Sequence, residues 1–219
     1  MKYLGSLIAA TVVLGLTTTS YAQEYPTRDV TMIVPYSPGG GTDTVVRQFA
    51  AQLEEALGAN IAVVNKSGAS GTVGTGEIVE SAPDGYTIGA PTSGILALQP
   101  LLKSGLAFDT PDQYQPLVKM AMLPSILFVR ADAPWDTFED FMAEVRTRPG
   151  EIRAGVGGIG TTDDLTTKHL NDVAGVEIVT VPFSGGGSEV VVAVLGGRIE
   201  AGMGRAANVL GQVEAGGAP

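Results

Sequence analysis

Two stretches of this chain are nearly the same. Val34-Pro35-Tyr36-Ser37-Pro38-Gly39-Gly40-Gly41-Thr42-Asp43 and Val181-Pro182-Phe183-Ser184-Gly185-Gly186-Gly187-Ser188-Glu189 differ chiefly by one extra proline. Both read Val-Pro-aromatic-Ser-Gly-Gly-Gly, then a hydroxyl residue, then an acid. Each follows a short β-branched run and opens an amphipathic one, which is the pattern of a strand-to-helix turn. A third glycine loop, Gly155-Val156-Gly157-Gly158-Ile159-Gly160-Thr161-Thr162, is placed the same way. A chain that repeats such a turn early and late is built of strand–helix units, and the echo puts one copy in each of two α/β lobes.

The rest of the pattern agrees. Val30–Pro35 reads as a buried strand, and Thr42–Leu57 spaces Val45, Val46, Phe49, Ala50, Leu53 and Leu57 helically before Gly58 stops it. Asn60–Val64 and Tyr86–Ala90 read as further strands, with helices at Thr72–Ser81 and Gly94–Leu102. A Pro- and Asp-containing stretch around 108–122 follows. After it, strands are expected at Ser125–Arg130, Arg153–Val156, Glu177–Pro182 and Ile199–Met203. The helices between them are Thr137–Arg148, with Phe138, Phe141, Met142 and Val145 on one face, Thr162–Val173 and Ser188–Leu195. Such alternation builds mostly parallel sheets flanked by helices. The expected division is 23–120 for the first lobe and 121–219 for the second.

Composition limits what two such lobes do. The chain has 219 residues, 44% of them apolar, enough for a core, and a net charge of −10 with pI ≈ 4.5. With no Lys/Arg cluster, that excludes binding to a phosphate backbone and disfavours an anionic lipid surface. The absence of Cys removes disulfides, thiolate metal sites and a cysteine nucleophile. No cofactor is expected. Met1-Lys2, the uncharged run Leu4 to Leu16 and the small residues Ser20-Tyr21-Ala22 have the three-part pattern of a secretory signal, cut after Ala22. The expectation is a soluble exported protein, most simply periplasmic.

The glycine loops carry the chemistry. The first turn of a helix has unpaired N–H groups and a positive dipole end, and glycine lets a ligand approach the backbone closely. None of these loops has the lysine of a nucleoside-triphosphate loop or the dinucleotide fingerprint. The anion is therefore small, and uncharged N–H and hydroxyl donors suit a carboxylate held between two facing lobes. Asp43 and Glu189, just after the glycines, read first as caps for the helices they open. Thr92 and Ser93 add hydroxyls at the same mouth, while Tyr36 and Phe183 wall the cleft or pack in the core. Arg205 reads as a surface residue, or as a partner for a ligand carboxylate. His169, the single histidine, lies mid-helix.

Enzyme motifs are missing: there is no Gly-x-Ser-x-Gly elbow and no His-Glu-x-x-His. A carboxylate-only hydrolase of a small anionic metabolite remains as an alternative, although no acidic pair is marked. A ligand sensor for a membrane kinase is another.

The opening Tyr25-Pro26 and Val34 to Asp43 resemble the tripartite tricarboxylate transporter substrate-binding receptors, the Bug-type family. The resemblance continues through Asn65-Lys66-Ser67-Gly68-Ala69-Ser70-Gly71, Ala82-Pro83-Asp84-Gly85-Tyr86-Thr87, Gly155–Thr162, Val181–Gly187 and Leu195-Gly196-Gly197-Arg198. It implies a two-lobed Venus-flytrap receptor, not an enzyme, that binds a small di- or tricarboxylate-like ligand and delivers it to membrane permease subunits as a monomer. It implies ligand contacts from Tyr36, Ser37, Gly39, Gly40, Gly41, Thr42 and Asp43 on one side. From the other come Gly157, Gly158, Gly160, Thr161 and Thr162, with Thr92, Ser93, Phe183, Ser184, Gly185 and Gly186 closing the site. Glu200-Ala201-Gly202-Met203-Gly204 is similar to the tricarboxylate-type branch. Family members continue past Gly217 with a strand returning to the first lobe, so the resemblance implies a first lobe that is incomplete at Pro219.

Overall fold

The computed structural model describes residues 24–214; the signal sequence and its cut after Ala22 lie outside them. Two sheets organise the chain. The first orders its strands β2-β1-β3, from β1 (Val30–Val34), β2 (Ile61–Asn65) and β3 (Thr87–Gly89), all parallel. The second orders them β4-β7-β5-β6, from β4 (Ser125–Phe128), β5 (Arg153–Val156), β6 (Val179–Pro182) and β7 (Ala201–Arg205). Here β5 is parallel to both neighbours, whereas β4 runs antiparallel to β7, pairing Ser125 with Arg205. Strand direction leaves no mark in hydropathy, so the sequence does not disclose this reversal.

Among the described residues, seven α-helices connect or flank these strands: α1 (Gly41–Leu57), α2 (Thr72–Glu80), α3 (Ser93–Leu102), α4 (Phe138–Thr147), α5 (Thr162–Ala174), α6 (Gly187–Leu195) and α7 (Ala206–Glu214). The expected strands and helices up to α6 are all present, with ends shifted by a residue or two. α7 is an addition that the reading of the sequence did not include.

Local chemistry explains the helix ends. In α1, Val46 and Ala50 bury against β1, and Gly58 ends the helix in the left-handed region at φ 66°, its N–H returning to the Glu54 carbonyl. A residue with a Cβ would pay for that conformation. In α4, the Thr137 hydroxyl accepts the Asp140 N–H, a side-chain N-cap. Phe141, Met142 and Val145 of α4 are buried as the spacing requires, but Phe138 stays half exposed because it is the first helical residue.

Apolar packing is divided in the same way as the sheets. Val30, Met32, Val34, Val46, Ala50 and Ile61 form the core of the first half. The second sheet has a cluster on each face: Val190, Val194, Ile199 and Val209 on one, Phe141, Val145, Ile152 and Ala201 on the other. These cores hold the strands so that the C-terminal ends of β1, β3, β5, β6 and β7 meet at a single place.

Candidate functional site

At that place lies a pocket lined by Tyr36, Gly40, Gly41, Thr42, Thr92, Gly94, Ile95, Gly157, Thr161, Thr162, Asp163, Gly187, Gly204, Arg205 and Asn208. Those residues include the first turns of α1, α3, α5, α6 and α7, so five helix N-termini converge on it. Each end offers unpaired N–H groups and the positive end of a dipole, equivalent to roughly half a charge. In parallel α/β sheets the crevice beyond the strands' carboxyl ends is the usual ligand position. The pocket is partly open to solvent and has a volume of ≈ 40 Å³. That is room for a few waters at about 10–15 Å³ each and too little for a dicarboxylate.

The two halves touch directly around the pocket. The Ser37 N–H donates to the Gly185 carbonyl at 3.1 Å, so the echoed loops are bonded to one another through their backbones. A Cβ added to Gly186 would stand 3.2 Å from the Tyr36 ring, and one on Gly94 would stand 2.7 Å from the Thr162 hydroxyl. Gly186 supplies both a left-handed turn, at φ 91°, and room for the Tyr36 ring, while Gly94 supplies room for the Thr162 side chain.

The acid that follows each glycine loop has one job in all three copies. The Gly39 N–H donates to Asp43 Oδ2 at 2.9 Å, the Gly160 N–H to Asp164 Oδ2 at 2.9 Å, and the Gly185 N–H to Glu189 Oε2 at 3.1 Å. Each carboxylate closes a ring onto the amide four residues earlier and fixes the loop ahead of its helix. Burial pushes the Asp43 carboxyl up, but Arg47, the Gly39 N–H and Asn65 outweigh it and hold it below its ordinary value. Asp164 behaves alike: burial raises it, and Lys168 with the Gly160 N–H brings it below.

A second set of polar groups faces the pocket itself. The Tyr36 and Thr92 hydroxyls are bonded at 2.9 Å. Burial raises the Tyr36 pKa, which keeps the phenol neutral. Arg205 Nη1 is 2.9 Å from Asp163 Oδ1 and also donates to the Ser125 hydroxyl, which in turn donates to Asp163 Oδ1 at 2.7 Å. Asn208 Oδ1 accepts the Arg205 N–H at 3.2 Å at the start of α7.

Of the residues expected from sequence, the structure brings Tyr36, Gly40, Gly41, Thr42, Thr92, Gly157, Thr161 and Thr162 into the lining. It places the others behind it. Ser37 and Gly185 make the bond between loops, and Ser184 and Gly186 belong to the same turn as Gly185. Gly39 and Asp43 bond each other, and the Gly160 amide goes to Asp164. Gly158 abuts Ser70, Ser93 begins α3, and Phe183 packs on the core beside Val190. Arg205, read first as a surface residue, has only 18% of its side chain exposed because β7 is a central strand. Asp163, Asn208 and Gly187 escaped the sequence reading. His169 is exposed on α5.

The model of the tripartite tricarboxylate transporter family receptor matches residues 45–218. The chain belongs to that family. Protein BugT of Bordetella pertussis is 31% identical over 188 residues, covering 85% of this chain and 57% of that protein. The chain thus spans a little over half the length of the curated relatives it matches. The solved receptor-like structures agree: one titled as a periplasmic transporter has a TM-score of 0.81 at 29% identity, covering 88% of this chain and 64% of that one. R. palustris Rpa4515 with adipate gives 0.80 at 30% identity, with 89% and 64% covered. MatC from Rhodopseudomonas palustris with bound malate gives 0.79 at 28%, with 89% and 66% covered. The family is one of receptors rather than enzymes. Among the described residues no helix is long and apolar enough to cross a membrane.

Proposed function

We propose that this receptor-family chain captures a small carboxylate, of the di- or tricarboxylate kind, in the pocket between its two halves. The observation that carries the proposal is the convergence of five helix N-termini on one pocket. Their N–H groups and the hydroxyls of Thr42, Thr92 and Thr162 form donors for a carboxylate, beside Arg205, whose guanidinium is held by Asp163. The solved relatives with adipate and malate are of the same ligand class. A pocket of ≈ 40 Å³ holds only part of such an acid, so on this reading the halves, 23–120 and 121–219, part to admit it and close again.

On this reading Tyr36, Gly40–Thr42, Thr92, Gly157, Thr161 and Thr162 touch the ligand. Ser37, Gly39, Asp43, Ser93, Gly158, Gly160 and the Phe183–Gly186 turn hold the loops that present them. The protein works in the periplasm as a monomer after cleavage behind Ala22, and passes its ligand to the membrane subunits of a tripartite transporter.

A thermal melt with citrate, succinate, malate, adipate, glutamate and terephthalate in turn tests the binding. An acid present at about 100 times its dissociation constant adds roughly 2.7 kcal/mol, a clear rise in midpoint. A cooperative melt that no acid moves would count against the reading.

A further inference from the structure

The pocket that is built for an anion already contains one. Asp163 sits in the first turn of α5, at the end of a helix dipole, 8% exposed, and its Oδ1 is held by Arg205 and Ser125. It therefore occupies the donors that an entering carboxylate needs: a guanidinium, a hydroxyl and a helix N-terminus. This arrangement is a fixed feature of the fold, because Ser125 of β4 and Arg205 of β7 are register partners across the antiparallel pair.

Resting on the receptor reading above, we propose that Asp163 is a resident counter-ion of Arg205 which a ligand carboxylate displaces, Asp163 taking a proton from solvent as the pocket fills. The balance is simple. Ligand carboxylate, ionised Asp163 and one solvent proton go in; a ligand–Arg205 ion pair and a neutral Asp163 carboxyl result, with no covalent bond changed. Two ionised carboxylates beside one guanidinium in a closed site are mutually repulsive, so the second to arrive raises the proton affinity of the first. Neutral Asp163 keeps a use, since its O–H donates where its carboxylate accepted.

The groups around Asp163 favour this outcome. Arg205 faces it from the β7–α7 junction, Ser125 from β4 and Tyr36 from the β1–α1 loop. The phenol is neutral, and among the described residues Arg205 is the cation that faces Asp163. Asp164, the neighbour on α5, turns away to the Gly160 amide and to Lys168 at 2.8 Å. Burial already pushes the Asp163 carboxyl above its ordinary value, outweighing Arg205 and Ser125. Uptake thus starts from a group already inclined toward protonation.

The chemical consequence is selectivity by charge. Arg205 recognises a carboxylate end, and the proton at Asp163 admits a dianion without leaving two uncompensated charges in the site.

The test is isothermal titration of the purified protein with malate and with adipate between pH 5.5 and 8, in buffers of different ionisation enthalpy, beside Asp163→Asn. Asparagine is isosteric and keeps an oxygen for Ser125 and Arg205. In the unmodified protein, affinity rises as pH falls, by up to about tenfold per pH unit, the limit for one linked proton. The buffer series reads close to one proton taken up on binding. In Asp163→Asn, binding at pH 8 tightens by about tenfold or more, and the difference in pH slope between the two proteins equals the lost proton; the acid's own titration is common to both. Binding by both proteins with the same slope and no proton uptake overturns the inference and leaves the receptor reading standing. No binding of either acid by either protein overturns both.

Discussion

Gln99 of α3 reaches across to the second half and donates through its side-chain amide to the Gly160 carbonyl at 3.1 Å, sharing the same nitrogen with the carbonyl of Ile159. The side chain is fully buried, and its Oε1 has no partner. One residue thus ties the first half to the glycine loop that opens α5. Its amide satisfies two carbonyls there and leaves one of its own atoms unpaired.

Gln99→Ala would orphan both carbonyls and open a cavity. We expect a loss of about 2–4 kcal/mol in stability by urea unfolding, more than the usual net value of a single hydrogen bond. Gln99→Met fills the space without a donor and should recover only part of it. Equal stabilities for the Ala and Met variants and the parent would show that the tie carries no weight.

The loop acids give the stability its pH dependence. Asp43 and Asp164, and outside the loops Glu200 through its ion pair with Arg153, are held below their ordinary values in the folded chain. Their contribution is present above the unfolded values and is lost as the pH falls through the folded ones. Asp163 has the opposite sign. Its carboxyl is raised on folding, so it favours the fold below its ordinary value and loses that contribution as pH climbs through the folded one. Urea midpoints between pH 3 and 6 should fall steeply on the acid side. Asp164→Asn should start lower at pH 6 and fall less, because its proton no longer distinguishes folded from unfolded chain.

Much of this was open to inspection in the sequence, for a physical reason: glycine, proline and the acid four residues on are local signals, and local signals survive without tertiary structure. The Gly39–Asp43 and Gly185–Glu189 rings are complete within five residues each. Tyr36, Thr92 and Thr161 are legible because they lie in the loops between a strand and the helix that follows it. What escaped depends on topology. Arg205 looks like any surface arginine until β7 is known to lie between β4 and β5, which brings Ser125 and Asp163 to it. Asn208 sits on α7, whose Ala-Ala-Asn-Val-Leu start carries no cap residue to announce it, and of its apolar residues Val209 is the one that is buried. Asp163 was hidden by its neighbour, since two consecutive acids after Thr161 and Thr162 read as a solvated first turn.

Gly40 offers a way to block the pocket without disturbing the fold. Its φ is −77°, open to any residue, and an added Cβ would meet only Ser37 O at 3.5 Å and Asn208 Nδ2 at 4.0 Å. The branches of a valine would project toward the N–H groups of α1. Gly40 is buried, so Gly40→Val is read beside Gly40→Ala, whose single methyl group finds ordinary contacts, and both should still melt cooperatively. The valine variant should lose the midpoint shift produced by whichever acid stabilises the parent. Retained binding would move the ligand away from the α1 N-terminus.

Gly94 tests whether approach of the halves is itself part of binding. It lies in the first turn of α3, and a Cβ there would stand 2.7 Å from the Thr162 hydroxyl and 3.5 Å from the Thr162 N–H. A Thr hydroxyl can swing aside for one methyl group, but two branches would press on the backbone of α5. Gly94→Val is therefore a wedge between α3 and α5, acting on the closed arrangement and leaving each half's own core intact. The cost falls on closure, so affinity for a stabilising acid should drop at least about tenfold, the equivalent of 1.4 kcal/mol. Small-angle scattering should report a larger radius of gyration than the parent under the same conditions. Gly94→Ala, with the single methyl group, should fall between the two. If the valine variant binds as the parent does, contact between α3 and α5 is incidental, and the carboxylate is held by one half alone.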